Sequence, residues 1–290
     1  MRADLHTHTL FSFDGAPAAT VDAMCESAIA KGIGLLAITD HCDINGEIEG
    51  IYAILDKEAV FRAIEAAKKK YANRLQLLFG IELGQATQYP REAAALLSRY
   101  PYDIVLGSLH NLANTPDFYY MSHKDAEISA IQLADASDAE ITSLFHRVLD
   151  ESAQLLDFPG IHVLAHLTYM HRYVLQVGKT LDFKPFFPEL TALFQKMIQK
   201  GIALELNTST VGKRGITMPT KELLALYHSC GGRLITLGSD AHTPNAIAQH
   251  FNSAAESLLD CGFTELAFPT ANGLITLPIP KGERYVATEL

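Results

Sequence analysis

The chain has 290 residues, of which 48% are apolar and 19% charged, and a mean hydropathy of +0.10, enough apolar content to bury a sizeable core. The formal net charge is −10 and the pI about 5.6, so the surface repels polyanions and a long nucleic-acid footprint is excluded. A small phosphorylated substrate is not excluded, because bound cations can outweigh the overall field locally.

In chain order, short apolar runs alternate with longer amphipathic stretches. The opening ADLH reads as a first strand, and TVDAMCESAIAK (20–31) as a helix with Thr20 as N-cap and Gly32 at its C-terminal end. GIGLLAIT (32–39) is a second strand, 56–72 a helix, LQLLFGIEL (75–83) a strand and 90–99 a helix. YDIVLGSL (102–109) is the fourth strand. The stretch 111–137 that follows is longer than an ordinary connection and suits a lid. A helix over 139–156, started by Asp138 and Glu140, leads into IHVLAHL (161–167). A helix over 185–200, GIALELN (201–207), a helix over 220–229 opened by Thr220 and Glu222, RLITLGS (233–239) and a helix over 244–260 complete the pattern. The tail 263–290 reads as one more strand plus an arm.

Seven apolar strands without inside–outside alternation are expected of a parallel sheet covered on both faces. With helices between them and no Ser/Gly/Pro linker, the prediction is a single α/β domain over 1–290, a distorted, TIM-barrel-like (β/α)7 barrel. Cys25, Cys42, Cys230 and Cys261 lie far apart with no C-x-x-C pair, which suits reduced thiols in the cytoplasm better than a disulfide framework. Arg2, Asp4 and His6 leave no signal-peptide core at the start, and no apolar run approaches the roughly 18 residues of a membrane span.

The histidines fall into two groups. His6, His8, His41, His110, His166 and His242 stand at or just past a predicted strand C-terminus, as do Glu82 and Asp240, and Asp14 follows the first strand. A parallel barrel brings all strand C-termini to one rim, so these side chains are expected to converge. Buried together without a cation they would leave unsatisfied or mutually repelling groups, so a metal site is the economical reading. His146, His162, His228 and His250 fall within helices or early in a strand and are read as structural. His123 in the long stretch and His171 beside Arg172, in what reads as a loop after the fifth strand, are within reach of the pocket. Asp40 either orients a ligating imidazole or caps a strand end.

The ordered series HTHT, TDH, GIE, GSLH, AHL and GSDAH resembles the polymerase-and-histidinol-phosphatase (PHP) family, and ELNTS (205–209) with SDAHTPNAIAQHF (239–251) is similar to its histidinol-phosphatase branch. The resemblance implies a distorted seven-stranded barrel with a trinuclear centre. One ion would take His6, His8, Glu82 and Asp240, a second Glu82, His110 and His166, and a third Asp14, His41 and His242. Many members place a histidine where this chain has Asp14. Imidazole and carboxylate without thiolate suit Zn, Mn or Fe.

Such a centre activates water and clamps phosphate oxygens. The expected activity is hydrolysis of L-histidinol phosphate, with nucleotides or short oligonucleotides as the alternative substrates and a non-catalytic metal-binding module as the remote alternative. Asp240 or His242 is the candidate proton relay. Arg172 is the first candidate for a phosphate fork, Lys213 and Arg214 the second, and Asn207 a candidate hydrogen-bond donor to substrate. The expected partner is a small phosphorylated molecule, and nothing in the sequence sets the oligomeric state.

Overall fold

The computed structural model describes residues 1–123, 132–280 and 285–286. Its main sheet contains β1 (Ala3–Asp4), β2 (Leu35–Ile38), β3 (His41–Asp43), β4 (Gln76–Gly84), β5 (Ile104–Ser108), β6 (Val163–Leu164), β7 (Ala203–Asn207) and β8 (Ile235–Gly238). The order is β1-β2-β4-β5-β6-β7-β8, every pairing is parallel, and β3 also pairs with β4. β2 and β3 are one barrel position interrupted at Thr39 and Asp40: both run along β4, at Leu35↔Gln76 and at His41↔Glu82. Across the remaining seam Leu5 N donates to Leu237 O at 3.0 Å, Asp240 N to His6 O at 2.8 Å and His8 N to Ala241 O at 2.8 Å. The seven positions thus nearly close into a barrel, as the strand–helix alternation predicts.

The helices begin where capping chemistry directs. Thr20 Oγ1 accepts from Ala23 N ahead of Val21–Ala30, and Asp56 from Ala59 N ahead of Lys57–Tyr71. Ser137 and Glu140 form a reciprocal capping box on Asp138–Leu155, so the cap lies one residue before the predicted Asp138. Apolar side chains of the strands are almost fully buried, among them Leu36, Ile38, Leu106, Leu204 and Leu237.

Four expectations need correction. The stretch after β6 is a helix, Tyr169–Gln176, so His171 and Arg172 lie on a helical face rather than in a loop. The last predicted helix starts at Phe251; Pro244–Ala246 is a separate 3-10 turn and His250, in left-handed conformation, is the cap. The tail contains a hairpin, β9 (Glu265–Thr270) with β10 (Gly273–Pro278), instead of one strand. The stretch 111–137 holds a short helix, Phe118–Met121, packed against Tyr169–Gln176; residues 124–131 of the expected lid lie outside the described residues. Among the described residues no helix is long and apolar enough to cross a membrane.

Candidate metal centre

β4 carries Glu82 to the middle of the barrel rim, where it is fully buried. Its two carboxylate oxygens divide the imidazoles between them. Oε2 lies 3.1 Å from His6 Nε2, 3.5 Å from His8 Nε2 and 2.9 Å from His41 Nδ1. Oε1 lies 3.0 Å from His110 Nε2 and 2.7 Å from His166 Nε2. Asp240 Oδ1 is 3.1 Å from His8 Nε2 and 3.8 Å from His6 Nε2. His242 and Asp14 close the outer side, with His242 Nε2 at 3.1 Å and His41 Nε2 at 3.8 Å from Asp14 Oδ2. All nine candidate ligands thus meet at one rim.

Their donor atoms form groups close enough to share an ion: His6 with His8 and Glu82, His6 with His166 and Asp240, Glu82 with His110 and His166, and His8 with His41 and His242. The last group differs from the expected third set. His8 stands in it, between His41 and His242 at ring-centroid distances of 4.2 Å each, and Asp14 adjoins from the more exposed side. His41, Asp43 and His110 form a further group.

These residues fit divalent metal on two grounds. His8 Nε2, His41 Nδ1 and His242 Nε2 are buried, each within 3.1 Å of a carboxylate oxygen, yet none has hydrogen-bond geometry to any partner. Buried nitrogens that lie close to carboxylate oxygens without bonding them suit ligands of a cation. Electrostatics agree. Burial, with His242 and His41 nearby, holds the His8 pKa well below its usual value, so one ring nitrogen keeps a free lone pair. Burial opposes ionisation of Glu82 and Asp240, but the surrounding imidazoles outweigh it and hold both carboxyls well below the usual range. The same carboxylates raise the pKa values of His6, His41, His110 and His242 against the cost of burial, so a cation that binds these rings takes the place of their protons beside ionised carboxylates.

A shell of partners orients the ligands. His6 Nδ1 lies 2.6 Å from Glu205 Oε1, and His166 N donates to Glu205 Oε2 at 2.7 Å. His110 Nδ1 lies 2.9 Å from Asp43 Oδ1. Neither Glu205 nor Asp43 is among the sequence-derived candidates. The signal for Glu205 is a carboxylate inside the apolar run IALEL, which burial forbids unless it is partnered. Asp43 offers only its position two residues beyond His41. Asp40 accepts from Thr9 N, Thr9 Oγ1 and Ser12 Oγ, and Ser12 Oγ in turn lies 3.3 Å from His8 Nδ1. Asp40 therefore anchors the 7–12 turn and reaches a ligand only through Ser12. His166 and Asp240 have φ of 23° and 54°, a left-handed strain of about 1–3 kcal/mol each that places ligating side chains.

The substrate-side candidates divide. Arg172 is half-buried beside the Tyr173 ring at 5.3 Å, forms no ion pair among the described residues, and interacts electrostatically with Asp240. Asn207 is buried with its amide toward Glu205 and Asp240 at 3.3 and 3.4 Å and its oxygen accepting from Ser209, so it braces Asp240. Lys213 and Arg214 are exposed on Val211–Arg214, and Arg214 reaches Gln176 at 3.3 Å. His123 is held by Tyr119 O and Gln176, away from the ion-sized groups. His146 and His162 bond Glu189 and Val105 N, and His228 packs on Phe263.

A nearly closed parallel barrel whose strand ends hold clustered imidazoles and carboxylates defines a metal-binding α/β-barrel protein. The chain belongs to the PHP domain family, whose model matches residues 4–209. It is similar to a protein of Clostridium acetobutylicum designated "Probable histidinol-phosphatase", at 23% identity over 91% of this chain and 96% of the relative. It is also similar to the histidinol-phosphatase of Lactococcus lactis subsp. lactis, at 24% identity over 92% and 93% of the two chains. The crystal structure of histidinol phosphate phosphatase from Lactococcus lactis subsp. lactis, complexed with Zn, L-histidinol and phosphate, shares the fold with a TM-score of 0.75 at 21% identity, covering 94% of this chain and 98% of that one.

Proposed function

We propose that the protein is a metal-dependent phosphoric monoester hydrolase that converts L-histidinol phosphate to L-histidinol and phosphate. The observation that carries this is Glu82, a buried carboxylate with its two oxygens shared among five imidazoles, at a rim where Arg172 remains free for an anion. The names of the relatives supply the alcohol.

Three divalent ions, Zn, Mn or Fe, are assigned to His6, His8, Glu82 and Asp240; to Glu82, His110 and His166; and to Asp14, His41 and His242, with His8 beside the third set. When bound, the ions supply activation of water and neutralisation of phosphate charge. In the reaction, oxygen from water bonds to phosphorus, the bond from phosphorus to the alcohol oxygen breaks, and the departing alkoxide takes a proton. Arg172 holds phosphate oxygens through its guanidinium fork. Asp240 and His242 lie on the outer side of the cluster, where a proton passes to the leaving oxygen. Asn207 keeps Asp240 in place for this. We assign this activity to one domain over 1–290, acting in the cytoplasm, a reading supported by the strand–helix rhythm and by four cysteines with no C-x-x-C pair.

The test is phosphate release from L-histidinol phosphate by protein loaded with Mn or Zn, beside mononucleotides and short oligonucleotides. Release from the amino-alcohol ester that disappears with chelator and returns with metal supports the reading. Preference for nucleotides would reassign the substrate, and activity undiminished after full metal removal would end the metal-dependent mechanism.

A further inference from the structure

A cavity of about 540 Å³ opens between the 45–52 segment and the 111–120 segment, which follows the candidate ligand His110. We propose that this cavity, with Asp117 in its wall and Tyr52 and Tyr120 around it, is the subsite for the cationic, amine-bearing half of a phosphomonoester substrate. The proposal rests on the phosphomonoesterase reading above and names what that site selects.

The lining supports a cation over any other ligand. It offers two carboxylates, Asp117 and the more exposed Glu49, three tyrosines (Tyr52, Tyr89 and Tyr120) and the Asn111 amide, and no lysine, arginine or histidine. Tyrosine faces attract ammonium and imidazolium groups, and a cavity of this size accommodates a small organic ligand. Burial pushes the Asp117 carboxyl up to about 6, so it is ionised at neutral pH and a cation beside it relieves the cost of that buried charge. Its Oδ2 accepts from Tyr52 OH at 3.0 Å and its Oδ1 from Tyr119 N at 2.7 Å. Both donors are neutral, and Asp117 has no ion pair among the described residues.

The cavity is joined to the metal centre by short links. Phe118 N donates to His110 O at 3.1 Å, which ties Asp117 to the segment leaving a candidate ligand. Phe13 stacks on Tyr52 at 4.2 Å and on His41 at 5.1 Å, so one aromatic column runs from cavity wall to centre. Tyr169 touches both His110 and His166. Asp240 and Asp117 both act electrostatically on Arg172. A molecule with its phosphate at Arg172 and the centre therefore meets Asp117 with its other end. An ester of an amino alcohol matches that polarity, whereas a neutral or anionic alcohol leaves the carboxylate unanswered.

The experiment titrates metal-loaded protein with L-histidinol and, separately, with inorganic phosphate, using wild type, Asp117→Asn and Asp117→Ser. Asn and Ser are both good helix caps, so Phe118–Met121 keeps its start. We expect L-histidinol affinity to fall at least tenfold in both variants while phosphate affinity stays within twofold. The ratio of kcat/KM for L-histidinol phosphate to that for 4-nitrophenyl phosphate should fall at least tenfold. Unchanged L-histidinol binding, an equal loss of phosphate binding, or no binding of L-histidinol by wild type overturns the subsite. Asp117-dependent binding of L-histidinol without hydrolysis of either ester keeps the subsite and defeats the phosphatase reading. Hydrolysis of both esters with an unchanged ratio does the reverse.

Discussion

Glu205 touches two candidate ligands and is itself buried among apolar strand residues. Its Oε1 sits 2.6 Å from His6 Nδ1, an arrangement that selects the tautomer leaving Nε2 as the metal-facing nitrogen. Glu205→Gln should weaken metal affinity about 10–100-fold, read by competition with a fluorescent chelator, since it removes the carboxylate that orients the ring. Unchanged affinity would make Glu205 a purely packing residue. Arg172 is proposed to face substrate rather than metal. Arg172→Ala should raise KM for the phosphoester about tenfold or more at unchanged metal content, if the guanidinium holds phosphate as proposed. A silent substitution moves that role to Lys213 or Arg214. At this scale the sequence is legible where a histidine or acid stands next to a strand end, as in HTHT or GSDAH. Asp43 escapes because an orienting group is recognised by what it touches, and Glu205 shows itself only as a carboxylate inside the apolar run IALEL.

Among the elements, β8 shows how closely the barrel is packed behind its ligands. A Cβ on Gly238 would collide with Glu205 Oε1 and lie 2.6 Å from His6 Cβ. Gly238→Ala should therefore displace both groups, costing a few kcal/mol of stability and most of the metal affinity. Thermal melts and metal titration check this, and a variant with wild-type values in both would show that the strand yields. The strands themselves are readable as apolar runs, since both faces are covered. Tyr169–Gln176 is not, because its first residues, TYMHRY, carry no apolar periodicity long enough to separate helix from loop. The helix owes its place to neighbours: Met170, Tyr173 and Val174 are buried against the barrel while Arg172 is left half-exposed on the rim side. The 244–260 segment errs in the opposite sense. A pattern that reads as continuous helix is broken by the left-handed Ala248 and His250.

For the molecule as a whole, acid stability carries a contribution from His171. It is buried with Nδ1 unpartnered, and burial lowers its pKa to about 4 from 6.5. The fold keeps it neutral, whereas the unfolded chain takes a proton below pH 6.5. Stability is therefore undiminished above pH 6.5 and falls as the pH drops toward 4, by roughly 2 kcal/mol at pH 5. His171→Leu should lose correspondingly less stability between pH 7 and 5 than wild type, measured by urea midpoints of the metal-loaded proteins. Parallel pH curves for the two would refute this. The candidate ligands titrate in both proteins, so the difference isolates His171.

The sequence by itself determined the donor set and its distribution, because a strand–helix rhythm sends every strand C-terminus to the same rim wherever the strands lie in the chain. It determined the barrel class for the same reason: apolar runs without alternation demand cover on both faces. Only the tertiary structure decided which nitrogen faces which oxygen. That depends on register and closure: Glu82 stands opposite His41 through the β3–β4 pairing, and Asp240 meets His6 and His8 through the β1–β8 seam. The cavity at Asp117 belongs to the same level, since Tyr52 and Asp117 come together only when two distant loops pack over one rim.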